Sequence, residues 1–342
     1  MSSESLLAVT AAELEERIAA MGEKRFRVAQ ILEHIYKRRV ADPGMMSNLP
    51  AALREKLAGQ FPAREVERTV SEDGTTKLLL ELGDGAGIEM VLIPSLSRMT
   101  FCLSTQVGCP VGCRFCASGA LGLERNLTAA EILSELFIGA AIHGDWPDNI
   151  VFMGIGEGLL NPAGLFKALD FISGSEYIGM SPRRVTVSTS GIVPGIRKLA
   201  GLGREYNLAI SLHAPDDATR AKIIPEKMRY PISEIMAAAD FYRETAGRMV
   251  TLEYTLLEGV NDSVQAARAL AVIALKHHCK VNLIGHNPSG TGFRRPAKPV
   301  IERFLHILEL EKVQATLRLE KGGDSSAACG QLRLKRKVLE RK

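Results

Sequence analysis

Aromatic residues are scarce in this chain: Phe, Trp and Tyr make up 5% of it, with one Trp. Composition therefore offers no row of rings on which bases would stack. An excess of one charge is also missing, since 43 Lys and Arg stand against 39 Asp and Glu for a net +4, which excludes a global polyanion magnet. No run of about 18 apolar residues occurs, so no membrane span is expected. Met1–Met21 carries Glu4, Glu13, Glu15 and Glu16 and no early Lys or Arg, unlike a secretory leader. The expectation is a cytoplasmic protein whose thiols stay reduced. No fixed-period repeat, low-complexity tract or G-x-G-x-x-G turn is found.

What is present is ordinary globular material. The 342 residues are 46% hydrophobic and 24% charged, which excludes disordered, collagenous and disulfide-scaffold classes. At roughly 150 residues per domain the length suggests about two domains, or one large α/β barrel with an addition. Such a chain buries a large core without staples. The basic residues cluster: Lys24-Arg25-Arg27, Lys37-Arg38-Arg39, Arg294-Arg295 with Lys298, and a tail, 333–342, with six cations and one acid. Blocks of this kind suit phosphate contacts, and equally suit solvated helix faces.

Periodicity divides the chain. Thr10 can cap a helix over Ala11–Met21 with Glu13 at the capping-box position, Phe26–Ile35 has helical spacing, and a third helix runs from Pro50 through Leu57. Val66–Ser71, Lys77–Leu82 and Ile88–Pro94 read as strands joined at Asp73-Gly74 and Asp84-Gly85, and Met99–Ser104 is a further strand. From there strands and helices alternate in units of roughly 30 residues, which predicts a parallel sheet with helices outside it. Ligands gather at the C-terminal ends of such strands. Cys109–Cys116, Gly154–Gly158, Ser188–Gly191, Ser211–His213 and His286–Gly290 all fall at those ends, which points to one shared site.

Four of the six cysteines lie between positions 102 and 116. Cys109, Cys113 and Cys116 have the spacing C-x3-C-x2-C. Three thiolates so close can hold three irons of a 4Fe-4S cube and leave the fourth open to a substrate. The rival is a structural zinc site, which needs a fourth ligand that only Cys102 could give. Cys279 reads as a small core filler. Gly154-Ile155-Gly156-Glu157-Gly158 follows a strand, so its glycines would allow a ligand close approach and Glu157 could accept from an ammonium group.

Residues 109–116 resemble the radical S-adenosylmethionine (SAM) signature, and CLSTQVGCPVGCRFCASGALGLERNLTAAEI resembles the RlmN/Cfr family of radical SAM RNA adenine methyltransferases. The resemblance runs from about residue 26 to 332 through FRVAQILEHIY, IEMVLIP, VFMGIGE, VTVSTSG, AISLHAP, NLIGHNP and ACGQL. Two positions differ from the family's usual pattern: Gly158, where proline is common, and His286, where an apolar or aromatic residue is common.

The resemblance implies an α/β fold, a partial (βα)6 barrel with a small N-terminal helical domain and a β-hairpin extension. The implied segments are an RNA-binding domain (1–62), a linker carrying the general base (63–97), the barrel with a methyl-cysteine loop (98–332) and the basic tail (333–342). It implies methylation of adenine carbon 2 in 23S ribosomal RNA, with transfer RNA as a second candidate substrate and carbon 8 as the alternative position. A zinc-stabilised, non-catalytic RNA-binding protein is the reading from a different class. Carbon 2 of adenine has no lone pair with which to attack a methyl sulfonium, so radical chemistry is required. The implied cofactors are one 4Fe-4S cluster, held by Cys109, Cys113 and Cys116, and SAM, used twice per turnover and held by Gly156, Glu157, Ser188, Ser211, Leu212, His213 and Asn287. The implied catalytic residues are Glu89 as proton acceptor, Cys329 as the S-methylcysteine intermediate and Cys102 as the thiol that resolves the adduct through a transient disulfide with Cys329. A reducing donor such as flavodoxin or ferredoxin, a monomeric state and the absence of a membrane partner complete the expectation.

Overall fold

Local signals set the first helices where the sequence places them. In the computed structural model, residues 5–59, 61–287 and 290–318 are described, so Cys329 and the basic tail lie outside the described residues. Helix α1 spans Ala11–Ala20; Thr10 Oγ accepts from the Glu13 amide at 3.2 Å and Glu13 Oε2 accepts from the Thr10 amide at 2.7 Å, closing a capping box. Helix α2 spans Phe26–Leu32 and α3 spans Ala51–Leu57. Between them the expected helical spacing gives way to a π-helical turn over Glu33–Lys37. The wider turn buries three consecutive side chains, His34, Ile35 and Tyr36, which a 3.6-residue period does not do. Tyr36 then docks on Phe137, Phe171 and Tyr177 with ring centroids 6.2, 5.8 and 5.2 Å away, fixing the helical segment to the rest of the chain.

Strands β1 (Ala63–Val70), β2 (Thr76–Leu82), β3 (Gly87–Ser95) and β4 (Arg98–Cys102) form an antiparallel meander. The first two turns use the Asp-Gly pairs, with Gly74 at φ 79° and Gly85 at φ 81°. A short ribbon of β5 (Gln106–Gly108) and β6 (Leu123–Asn126), which periodicity does not reveal, brackets the cysteine segment. The alternation that follows is α4 (Ala129–His143), β7 (Asn149–Phe152), α5 (Pro162–Ser173), β8 (Val185–Thr189), α6 (Val193–Ala200), β9 (Asn207–Ser211), α7 (Asp217–Ala221), α8 (Ile232–Ala246), β10 (Thr251–Leu256), α9 (Val264–Lys276), β11 (Lys280–Gly285), α10 (Lys298–Leu310) and β12 (Ala315–Arg318).

The larger sheet has the order β1-β2-β3-β4-β7-β8-β9-β10-β11-β12, and every pairing from β4 onward is parallel. The strands follow one another in sequence order with helices between them, as a partial (βα)6 barrel requires. The sheet is open, with β1 and β12 as its edges, and the expected hairpin extension is its antiparallel side, joined to β4 through β3.

The two faces of the parallel strands differ. Val185, Val187, Leu208, Ile210, Leu252, Tyr254, Val281 and Leu283 are buried in the main apolar core. Most of the alternate positions are polar: Thr186 and Ser188, Asn207 and Ser211, Thr251, Glu253 and Thr255 line two cavities on the inner face, with Ala209 and Ile284 as apolar members of the same set. Parallel strands covered by helices on both faces read as continuous apolar runs; alternation here marks an inner face left for a ligand. No helix among the described residues is long and apolar enough to cross a membrane.

Helix α4 approaches the sheet closely at Gly139, where an added Cβ would lie 2.6 Å from Phe101 Cε2 and 2.9 Å from Met90 Cε. Gly139→Ala should therefore destabilise the protein by about 1–3 kcal/mol through overpacking, outweighing alanine's better helix propensity. Urea denaturation measures this; an unchanged or raised midpoint would refute the close packing.

Candidate active site at the strand ends

A cavity of about 340 Å³ opens at the C-terminal ends of the parallel strands, within the range of small-molecule sites (about 300–1,000 Å³). Its lining includes Cys109, Cys113 and Cys116 on one side, Gly156 and Glu157 on the next loop, and Ser188, Ser211, His213 and Asn287 from successive strand ends. The structure thus brings the separate sequence motifs to one place. Leu212 is the exception among them: its side chain is fully buried in the core, so only its backbone is available to the site.

The cysteine loop is folded by close backbone approaches. Gly108 has φ 78°, and a Cβ on it would strike the carbonyl oxygen of Gly122, which accepts from the Cys109 amide at 2.9 Å. A Cβ on Gly119 would lie 2.7 Å from the Cys113 carbonyl oxygen, so the chain wraps tightly behind that ligand. Burial pushes the Cys109 thiol up to about 12, and the charges of Cys116 and Glu157 add to it; Cys113 is raised by burial and then by Cys116 and Cys109. The raised thiols of Cys109 and Cys113 give up their protons most readily to a strongly cationic group, as the ligands of a metal centre do. Among the described residues no three His, Cys, Asp or Glu side chains are grouped to hold a single metal ion.

The next loop is held by the strand that delivers the cysteines. The Gly154 amide donates to Leu103 O at 3.0 Å, the Ile155 amide to Ser104 Oγ at 2.8 Å and the Glu157 amide to Gln106 Oε1 at 2.8 Å. Ser104 Oγ in turn donates to the Glu89 carbonyl oxygen at 2.6 Å, and the Ser104 amide donates to Glu135 Oε2 at 3.0 Å. Burial holds the Glu135 carboxyl well above the usual carboxylate range. Glu157 accepts from the Ser190 amide at 2.6 Å and the Leu159 amide at 3.2 Å; burial still raises its carboxyl overall. The bond to Leu159 caps the 3-10 turn Gly158–Leu160, so the turn is fixed without a proline at Gly158.

His213 sits at φ 55°, in the left-handed region, and accepts from the Thr255 amide at Nδ1, 3.0 Å away. An acceptor at Nδ1 leaves the proton of the neutral ring on Nε2. Burial, then the Arg220 charge, lowers His213 to about 3. Phe115 packs edge-on to His213 with centroids 5.0 Å apart, and His286, where the family differs, lies 6.4 Å from the same ring. Among the described residues Asn287 Oδ1 is buried without a hydrogen-bond partner beside the cavity, which suits a donor on a ligand.

Strand alternation also places the acid and thiol expectations. Val91, Ile93 and Cys102 line the cavity from β3 and β4. Glu89 is on the same face of β3, buried at 3% exposure, but does not line the cavity; its Oε2 lies 3.5 Å from Nζ of the fully buried Lys77. In the sequence nothing distinguishes Lys77 from a lysine exposed at a strand end, where lysine is usually found. Cys279 packs in the main core, as its reading as filler requires.

Three arginines of the N-terminal clusters meet carboxylates, Arg25 with Glu15 at 2.9 Å, Arg38 with Glu33 at 2.7 Å and Arg39 with Asp145 at 2.8 Å, while Lys37 donates to Tyr177 O at 2.8 Å. Charge clusters in sequence are here mixed-charge surfaces in space.

Residues 103–270 match the family model described as the Radical SAM superfamily, and residues 5–61 match the one described as the Ribosomal RNA large subunit methyltransferase N-terminal domain. The chain is 44% identical to the probable dual-specificity RNA methyltransferase RlmN 3 of Opitutus terrae, over 98% of this chain and 94% of that protein. It is 45% identical to the probable dual-specificity RNA methyltransferase RlmN of Deinococcus deserti, over 91% and 93%. Among solved structures, a radical SAM methyltransferase from Sphaerobacter thermophilus superposes with a TM-score of 0.91 at 42% identity, covering 96% of this chain and 98% of that one.

The buried neutral state of His213 has a thermodynamic signature. The unfolded ring titrates near 6.5 and the folded one near 3, so the unfolded state binds more protons between those values. Stability falls as pH drops below about 6.5, with a contribution of up to about 1.4 kcal/mol per pH unit from this one group. His213→Gln, which keeps an acceptor for Thr255, should flatten the pH dependence of the apoprotein's denaturation midpoint between pH 6.5 and 4. An identical slope in the variant would show that the ring titrates normally.

Proposed function

Because the chain belongs to the RlmN/Cfr family of radical SAM RNA methyltransferases, we propose that it methylates carbon 2 of an adenine in large-subunit ribosomal RNA, with transfer RNA as a second substrate. The observation that carries the reading is that Cys102 and the triplet Cys109, Cys113 and Cys116 line one cavity. The triplet is what a radical SAM centre requires, and the further thiol is what a covalent methyl-transfer route requires.

The residues present fit both cofactors. Cys109, Cys113 and Cys116 would hold the cluster, which supplies the electron that makes a carbon radical from SAM. Gly156, Glu157, Ser188, Ser211, the Leu212 backbone, His213 and Asn287 would hold SAM. Glu157 offers carboxylate lone pairs to an ammonium group, and His213 offers an Nε2 donor to a carboxylate.

Cys329 presents the methyl group as S-methylcysteine. Glu89, with Lys77 beside it in a buried pair, takes the proton that leaves the ring when the new carbon–carbon bond is made. The Cys102 thiolate attacks the sulfur of Cys329; the electron pair of the broken sulfur–carbon bond stays with the methylene carbon, which takes a proton to complete the methyl group on the ring, and the two sulfurs are left as a disulfide for later reduction. The reacting adenine must leave its stack to reach a cavity at the strand ends. A small low-potential carrier such as flavodoxin or ferredoxin serves as electron donor, and the chain acts as a cytoplasmic monomer.

The test treats protein-free ribosomal RNA anaerobically with the reconstituted full chain, SAM and a strong reductant, then identifies nucleosides by mass spectrometry. Expected is 2-methyladenosine with about four irons per chain. 8-Methyladenosine would move the reaction to carbon 8, and a colourless zinc protein with unmodified RNA would overturn the reading. Cys329→Ala should abolish product, and Cys102→Ala should leave protein covalently attached to RNA. Normal turnover by the Cys102 variant would remove its resolving role.

A further inference from the structure

Arg220 is the bulkiest of the fully buried side chains and has 0% exposure. Its donors all end on backbone carbonyls: Nε on Leu212 O at 3.3 Å, Nη1 on Tyr230 O at 3.1 Å and Nη2 on Ser190 O. Among the described residues it makes no ion pair. Neutral acceptors satisfy the hydrogen bonds of a buried guanidinium but do not cancel its charge, and a buried charge without a counter-charge is strongly disfavoured.

The surroundings indicate where the counter-charge belongs. The turn that follows α7, the helix bearing Arg220, is built against the cysteine loop. The Arg114 amide donates to Ile223 O at 2.9 Å, and Arg114 Nη1 donates to Lys222 O at 3.3 Å. Ile223 and Ile224 form a small apolar cluster with Val111 that packs on Cys109, Cys113 and Phe115. Ser190 lines the cavity, and Leu212 is next to the cavity-lining His213, so Arg220 holds two loops of the SAM pocket from behind. Burial lowers Arg220 to about 10; the group that most opposes this is Cys113, followed by Asp217.

We propose that Arg220 is the buried countercation of the iron–sulfur site, a positioning residue that anchors the Ser190 and Leu212 carbonyls and whose fixed charge favours the one-electron-reduced cluster at Cys109, Cys113 and Cys116. This rests on those three thiols being the cluster's ligands. Three thiolates outweigh the positive charge of the cubane core, so the assembly is an anion and balances the guanidinium. Reduction adds one electron from an external low-potential donor and no proton; Arg220 stays protonated throughout. The added negative charge is stabilised by the nearby cation, and net charge is one of the terms that set such potentials.

The test is a potentiometric titration of the reconstituted full chain without SAM, read by electron paramagnetic resonance, with dithionite as reductant and iron per chain measured first. Arg220→Gln should lower the ratio of reduced to oxidised cluster at a given potential about tenfold, which is 59 mV for one electron. Arg220→Lys keeps the charge but loses the planar fork, and should titrate with the wild type. An unshifted glutamine variant with full iron, or a lysine variant shifted as far as the glutamine one, would overturn the proposal. Should the glutamine variant lose its iron, the lysine variant decides: a wild-type potential supports the countercation and a downshift rejects it. A wild-type chain that takes up no iron is a separate result, and it rejects the assignment of the three thiols.

Discussion

The site exists because alternate residues of the parallel strands face opposite ways. A strand residue that packs on a helix is followed by one that faces the interior of the open barrel. In β8 to β11 the helix-facing positions are Val, Leu, Ile and Tyr, and the inward ones include Thr, Ser, Asn and Glu. An interior filled with branched aliphatics would be a packed core without room for a ligand. Polar inward residues are tolerated because the sheet does not close and two cavities remain on that face. The same rule sends Phe101 toward α4 and its neighbour Cys102 into the cavity, so a one-residue slip in β4 would exchange a core ring for a reactive thiol.

Ionisable groups buried behind the cavity give the loops their fixed shape. Glu135 holds the Ser104 amide, Glu157 holds the Ser190 amide and Arg220 holds the carbonyls of Ser190 and Leu212. Each costs desolvation, which shows in the raised carboxyls and the lowered guanidinium. The return is rigidity: Ser190 is held through its amide by an acid and through its carbonyl by a base. Loops fixed in this way meet a ligand without reorganising, and preorganisation is where much of a site's binding and catalytic power lies.

Much of this was legible in the sequence because its signals are local. The capping box at Thr10 and Glu13, the Asp-Gly turns, the cysteine spacing and the polar motifs after each strand depend on residues a few positions apart. What was not legible depends on distant partners. Nothing near Tyr36 announces the π-helical turn, since its cause is a pocket made by Phe137, Phe171 and Tyr177. Lys77 and Glu89 are separated by a hairpin, and Arg220 acts on carbonyls 8, 10 and 30 residues away. The β5–β6 ribbon was missed because its strands have three and four residues, too few to show a period.

The basic clusters show the converse case, in which a local pattern leaves two readings open because it says nothing of the partners the cations meet in space. Arg25, Arg38 and Arg39 each meet a carboxylate in space, so the N-terminal helices do not form a bare cationic face. Exposed pairs of this kind contribute about 0–1 kcal/mol, so a phosphate can replace the carboxylate at little cost. Neutralised at rest, such a surface attracts no polyanion from a distance, in keeping with a net charge of +4. On a surface of this kind phosphates bind where shape brings them within reach of the paired cations, and shape is largely how double-helical RNA is recognised. Selectivity for one RNA over the bulk of cellular RNA follows more readily from that arrangement than from a strong non-specific field.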